Sequence, residues 1–281
     1  MSASSAAQVR TAYPDKRGLA LSAFPRTIKL ADNVYGYEEI RNPGFTTVSL
    51  FVVGADGVLV ADGQGSVDAT RTMLAAIAKV TPKPVKWYVV GSDHGDHTAG
   101  NAVLPTDLTY VVSKASKAQL KLAAPAMTSD RQVIDVGGIE VQAIYAGRAH
   151  TGGDLLVYLP KQKILFMSEV YLNRVFPAMR SAYPTEWVGV IDKALAMDVD
   201  RFIPGHGFIE EAKASREELV EFQKALRAVI AEVTRLHKLG LPADEAAKQA
   251  NWGPYQDWFL ADQQGPIAVR KVFEEIEGKL K

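Results

Sequence analysis

The chain has 281 residues, with Lys plus Arg and Asp plus Glu balanced at 32 each and no cysteine. That excludes disulfides, thiolate metal sites and cysteine nucleophiles, and it leaves no basic excess of the kind that draws nucleic acid or an anionic membrane surface. The hydrophobic fraction of 47% suffices for a sizeable core, and no apolar stretch is long enough to span a bilayer.

Residues 1 to 26 read as an irregular arm, polar and broken by Pro14, Gly18 and Pro25. Met1 to Gln8 has neither a basic n-region nor an apolar h-region, so it does not read as an intact signal peptide. From Thr27, β-branched and aromatic runs at 27–30, 34–37, 47–53 and 57–61 alternate with the turns Ala31-Asp32-Asn33, Asn42-Pro43-Gly44 and Gly54-Ala55-Asp56, which predicts an antiparallel meander. A helix over 67–80 follows, with Ser66 as its N-cap and Met73, Ile77 and Val80 on one face.

The apolar run Val85 to Gly91 reads as a buried strand, with a short helix expected from Thr98. Further strands are expected at 109–112, at 132–136 and 139–145 around the hairpin signal Gly137-Gly138, at 155–159, at 164–167 and at 201–203. Helices are expected over 114–123 and 185–197. A long one runs from about Ser215 to Leu239 and is stopped by Gly240; two more lie over 243–250 and 266–280.

Chemistry gathers in the Gly-containing turns after these strands. Ser92-Asp93-His94-Gly95-Asp96-His97 packs two imidazoles and two carboxylates into six residues directly after a strand. A strand end followed by a tight turn holds His94, Asp96 and His97 on a short arc, where they can converge on one divalent metal. His150 in Gly147-Arg148-Ala149-His150-Thr151-Gly152-Gly153-Asp154 and His206 in Pro204-Gly205-His206-Gly207 follow the same placement. Histidines on loops carried by a rigid sheet suit catalysis, whereas core histidines fall within elements.

Together with Phe166-Met167-Ser168-Glu169, these stretches resemble, in order and spacing, the motifs of the metallo-β-lactamase-fold hydrolases across roughly residues 27 to 210. The resemblance implies a four-layer αβ/βα sandwich of two mixed β-sheets with outer helices, spanning 27–240, with 241–281 as a helical extension packed on the same domain. It also implies one or two Zn2+ per chain at one edge of the sandwich. One half-site would contain position 92, His94 and His150; the other would contain Asp96, His97 and His206, with Glu169 between them. Asp96 would orient a metal-activated hydroxide, and His94 and His97 would be catalytic as ligands. Asp62 and Asp154 would brace the metal loops from behind.

Two positions depart from the family pattern. Position 92 is Ser where the pattern has the first ligand His, and 169 is Glu where it has Asp. A neutral hydroxyl is a poor zinc ligand, so the first half-site keeps two nitrogens. Glu169, one methylene longer than Asp, is expected to lean toward that depleted half-site. The rival outcome is a single-zinc centre at Asp96, His97 and His206.

The segment after Glu169 is expected to line the mouth, offering Arg174 and Arg180 to an anionic group and Tyr171 and Phe176 to an apolar one. Ordinary surface charge would equally explain both arginines. The expected activity is hydrolysis of a small-molecule ester, lactone, β-lactam or thioester carbonyl by a lactonase- or esterase-like enzyme. The alternatives are a metal-dependent oxidoreductase of the same fold and a metal-binding protein with reduced catalysis. The likeness extends to bacterial members, including an exported quinoprotein-relay type, which favours a periplasmic or secreted location. No nucleic-acid or membrane partner is expected. The aromatic cluster Trp252, Tyr255, Trp258 and Phe259 is open to packing on the domain, capping the pocket or a homo-oligomer contact.

Overall fold

The computed structural model describes residues 9–41 and 44–280. The signal-peptide reading of 1–8 and most of the Asn42-Pro43-Gly44 turn lie outside them. Among the described residues the chain forms two mixed sheets. The first is β1 (Arg26–Ala31), β2 (Val34–Arg41), β3 (Phe45–Val53), β4 (Val58–Ala61), β5 (Val85–Val89) and β6 (Thr109–Val111), side by side in sequence order. Its first four strands are antiparallel, and β4, β5 and β6 run parallel. The second sheet contains β7 (Arg131–Asp135), β8 (Glu140–Ile144), β9 (Leu156–Leu159), β10 (Ile164–Phe166) and β11 (Arg201–Ile203) in the order 11-10-9-8-7, with β10 and β11 parallel. The hairpin between β7 and β8 turns on Gly137 and Gly138, both at positive φ.

Alternation along the strands produces the layers. In β3, Val48, Leu50 and Val52 point toward Ile134, Val141, Val157 and Phe166 of the other sheet. Phe51 points the opposite way, onto Met73 and Ile77 of α1 (Val67–Val80), whose N-cap Ser66 accepts from the Ala69 amide. The outer face of the second sheet, with Leu156, Leu165 and Phe202, is covered by α4 (Pro184–Leu195), α5 (Ala212–Lys238) and α7 (Ala261–Ile276). The four-layer αβ/βα sandwich implied by the motifs is therefore the observed architecture. The other helices are α2 (Gly95–Thr98), α3 (Lys114–Leu120) and α6 (Ala243–Gln249). No described helix is long and apolar enough to cross a membrane.

Two helix starts that differ from the sequence expectation have a visible cause. The helical turn after β5 starts at Gly95 rather than Thr98, because His94 is extended and its carbonyl accepts from Thr98 Oγ1 at 2.8 Å, closing the turn around Asp96 and His97. α7 starts at Ala261, five residues before Pro266, which sits inside it; the Gln264 amide bonds Leu260 O at 2.8 Å, and the preference of Pro for a helix start is overridden. The arm is anchored where it is described. Ala12 is fully buried, Arg10 pairs with Glu217 and Glu218 of α5, and Arg17 pairs with Glu210.

Trp187 on α4 is fully buried. Its indole N–H donates to Val170 O at 2.9 Å, and its ring lies edge-on to His150 at 5.1 Å and tilted against Phe222 at 5.7 Å. Trp187→Ala removes that volume and orphans the carbonyl, so it is expected to cost about 3–5 kcal/mol in urea unfolding.

Candidate metal centre

β4, β5, β10 and β11 all end at one edge of the sandwich, and each reaches a polar residue of the predicted site within three residues: Asp62, Ser92 at the start of the run to His97, Glu169 and His206. His150 comes from the loop joining β8 to β9. The structure brings His94, Asp96, His97, His150, Glu169 and His206 into one cluster made of two donor sets. His94, His150 and Glu169 form one; Asp96, His97, Glu169 and His206 form the other.

Glu169 is buried between them. Its Oε2 is 2.8 Å from His94 Nδ1, and its Oε1 is 3.2 Å from His150 Nε2 and 3.3 Å from His206 Nε2. Ser92, fully buried, donates its hydroxyl to Glu169 Oε2 at 2.5 Å. In the second set, His206 Nε2 is 3.0 Å from Asp96 Oδ2 and 3.4 Å from His97 Nε2.

Three of the four imidazoles are held from behind. His94 Nε2 faces Ser181 Oγ at 3.1 Å, and His206 Nδ1 faces the Thr46 carbonyl at 2.8 Å. His97 Nδ1 lies 3.0 Å from Asp62 Oδ2, off the line of a straight hydrogen bond. Asp62 Oδ1 also accepts from the Gly91 and Ser92 amides, at 2.7 and 3.3 Å, and Oδ2 accepts from the Ser168 hydroxyl. Asp154 accepts from the amide and hydroxyl of Thr151, both at 2.7 Å, and so shapes the His150 loop.

The glycines flanking His206 are needed for close approach. A Cβ on Gly205 would run into the Ser168 carbonyl, and one on Gly207, at φ +84°, into that of Asn173.

These donors fit a divalent metal. A tetrahedron with metal–ligand bonds of about 2.0–2.1 Å has edges of roughly 3.3 Å, and the facing atoms stand 2.8–3.4 Å apart. His94 Nδ1 and His150 Nε2, 3.1 Å apart, and the His97 and His206 Nε2 pair confront nitrogen with nitrogen. A proton satisfies one such contact; a cation satisfies both lone pairs.

Without metal the charges lean on one another. Burial works against a charged ring at His94 and at His206, but Glu169 at the first and Asp96 with Glu169 at the second outweigh it, and both are raised to about 9. His97 is likewise raised against burial by Asp62. Despite its own burial, Glu169 is held well below the usual range by His150 and His94. Asp96, whose burial and neighbouring Glu169 push the other way, is lowered by the His206 hydrogen bond and the His97 charge. Burial pushes Asp154 up to about 6 against His150 and Thr151.

The cluster floors a cleft of about 410 Å³. Phe45, Leu172, Val175 and Leu260 supply apolar walls, and Arg41, Arg180, Gln263 and Gln264 supply polar ones. Of the expected mouth residues, Arg180 lines the cleft and the other three do not. Tyr171 and Phe176 are fully buried in the core under α5, and Arg174 is turned to Glu218, with its guanidinium over Trp258. The reason is that the segment after Glu169 is stitched inward: Gly205 N donates to Tyr171 O at 3.0 Å, and Phe176 N to Phe259 O at 2.9 Å.

Sequence reasoning missed Ser181, Ser168 and Arg41, the last of which bonds Asp96 from the end of β2. No local motif marks Ser181 or Arg41, and Ser168, though inside the Phe166 to Glu169 stretch, has no expected role there.

No family model matches the chain. It is 27% identical over 170 residues to the 2,4-dinitroanisole O-demethylase subunit alpha of Nocardioides sp. (strain JS1661), covering 56% of this chain and 52% of that one. It is 22% identical over 295 residues to the linear primary-alkylsulfatase of Pseudomonas sp. (strain ATCC 19151), covering 79% and 54%. The chain thus spans about half the length of these relatives. A solved metallo-beta-lactamase from Pontibacter korlensis superposes with a TM-score of 0.63 at 20% identity, over 71% of this chain and 99% of that one. This chain has the metallo-β-lactamase fold. The stereoselective inverting sec-alkylsulfatase of Pseudomonas sp. shares the fold with a TM-score of 0.74 at 15% identity, over 89% of this chain and 50% of its own.

A metal bound at these donors would have to displace the protons on His94 and His206. Both are protonated below about pH 9 in the metal-free state, whereas the carboxylates stay ionised. Adding Zn2+ to chelator-stripped protein at pH 7 in weak buffer is therefore expected to release protons, and affinity is expected to rise from pH 6 to pH 9. Proton release is read with an indicator dye and affinity by titration; uptake without acidification would contradict the assignment.

Proposed function

We propose that the protein is a zinc-dependent hydrolase of small esters that carry an apolar group. The observation that supports it most directly is the pair of donor sets sharing Glu169 at the floor of a half-apolar cleft. Zinc held by these groups would polarise the scissile ester and bring the pKa of water toward neutrality. His94 and His150 serve the first set and Asp96, His97 and His206 the second. Glu169 would serve both, its Oε2 beside His94 and its Oε1 beside His150 and His206, and the Ser92 hydroxyl steadies the Oε2 that leans toward the side lacking an imidazole.

Asp96, ionised and open to the cleft, accepts a hydrogen bond from water and orients it toward the substrate. Ser181 fixes the ring of His94 so that Nδ1 faces inward, and Asp62 and Thr46 do the same for His97 and His206. Phe45, Leu172, Val175 and Leu260 exclude water from the apolar part of the substrate, and Arg180, Gln263 and Gln264 meet its polar end.

A second reading, hydrolysis of an alkyl sulfate ester, is favoured by the alkylsulfatase relative aligned over 79% of the chain. It is supported also by Arg180, which among the described residues has no carboxylate partner.

Zinc-loaded protein is expected to cleave an aryl butyrate, a γ-lactone or a chromogenic cephalosporin under the first reading, and an aryl or alkyl sulfate under the second. Two zinc ions per chain are expected by mass spectrometry of digested protein. Glu169→Gln is expected to lower turnover at least 100-fold, an order-of-magnitude figure for losing a charge that serves both sets. Turnover of none of these probes by protein loaded with two zinc ions would point to a binding protein, and one zinc per chain in excess metal would rule out sharing by Glu169.

A further inference from the structure

We propose that Arg41 is a built-in counter-cation that holds down the metal affinity of the Asp96, His97 and His206 set. The inference rests on reading the cluster as a metal centre. Arg41 is the last residue of β2, and its Nη1 donates to Asp96 Oδ2, the same oxygen that stands 3.0 Å from His206 Nε2. A carboxylate lone pair shared with a guanidinium is a poorer donor to a metal, and a fixed positive charge beside the site opposes a divalent cation directly.

The guanidinium is seated by packing. It lies over the Phe45 ring at 5.2 Å, and Phe45 is edge-on to His206 at 4.9 Å. The Asp96 side chain is 15% exposed and that of Arg41 36%, so water screens the pair less than it would on an open surface.

The two sets are unequal in this respect. Among the described residues no other Lys or Arg is within ion-pair distance of the cluster, and Glu169 meets imidazoles and the Ser92 hydroxyl alone. One set therefore trades an imidazole for Ser92 and faces no cation; the other keeps all its donors and faces Arg41.

The test is calorimetric titration of Zn2+ into the chelator-stripped full chain, which reads binding without any substrate. His206→Ala identifies the step that belongs to the second set. Arg41→Met, which keeps an apolar stem over Phe45, is expected to tighten that step at least tenfold. Arg41→Gln is expected to do the same and serves if the Met variant folds poorly. Arg41→Lys, which keeps the charge, is expected to stay within threefold of the unmodified protein. An unchanged or weakened step in the Met and Gln variants would overturn the proposal and leave Arg41 as a brace for Asp96. A parent protein with no zinc-binding step sensitive to His206→Ala would instead sink the metal-centre reading itself, so the two failures are distinct.

Discussion

A single buried carboxylate ties the two sheets together where the chemistry sits. Asp62 follows β4 with a left-handed φ of 60°. From there it takes two backbone amides at the end of β5, the Ser168 hydroxyl at the end of β10, and the flank of His97. Burying an unpaired carboxylate is costly, whereas one that meets four groups from three chain segments fixes those segments relative to each other. The ends of β4, β5 and β10 are held in place by a charge that never faces the cleft.

Much of this was legible in the sequence, and the reason is local. His94, Asp96 and His97 fall within four residues after a strand, and the β-branched runs and turn signals around them mark that strand independently. The layered fold follows from the same periodicity, since β3 is buried on both faces, with Val48, Leu50 and Val52 on one and Phe51 on the other, and lies between a helix and a second sheet. What stayed hidden is long-range. Arg41 meets Asp96 across 55 positions and Ser181 meets His94 across 87, with no motif linking them. Proximity in sequence to Glu169 does not bring Tyr171, Arg174 and Phe176 to the cleft, because the backbone pairings to Gly205 and Phe259 carry that segment into the core.

Ser92 and Glu169 depart from the pattern together, Glu169 being expected to lean toward the half-site that Ser92 depletes, and the structure joins the two by a hydrogen bond of 2.5 Å. A small hydroxyl at 92 leaves room for the longer acid, and the longer acid reaches the space that a ring would fill. Each change makes structural sense in the presence of the other, so a variant altering one of the pair tests a different molecule from one altering both.

The floor and the far wall of the cleft belong to different parts of the chain. The donors come from loops of the sandwich, while Leu260, Gln263 and Gln264 come from the start of α7, fastened by the Val175 to Phe259 bridge. The candidate donors and one wall of the cleft therefore lie on different segments, with Phe45, Leu172, Val175 and Arg180 completing the wall from the sandwich side. Side-chain changes at Leu260, Gln263 or Gln264 would redraw that one wall while the candidate metal donors stay where they are.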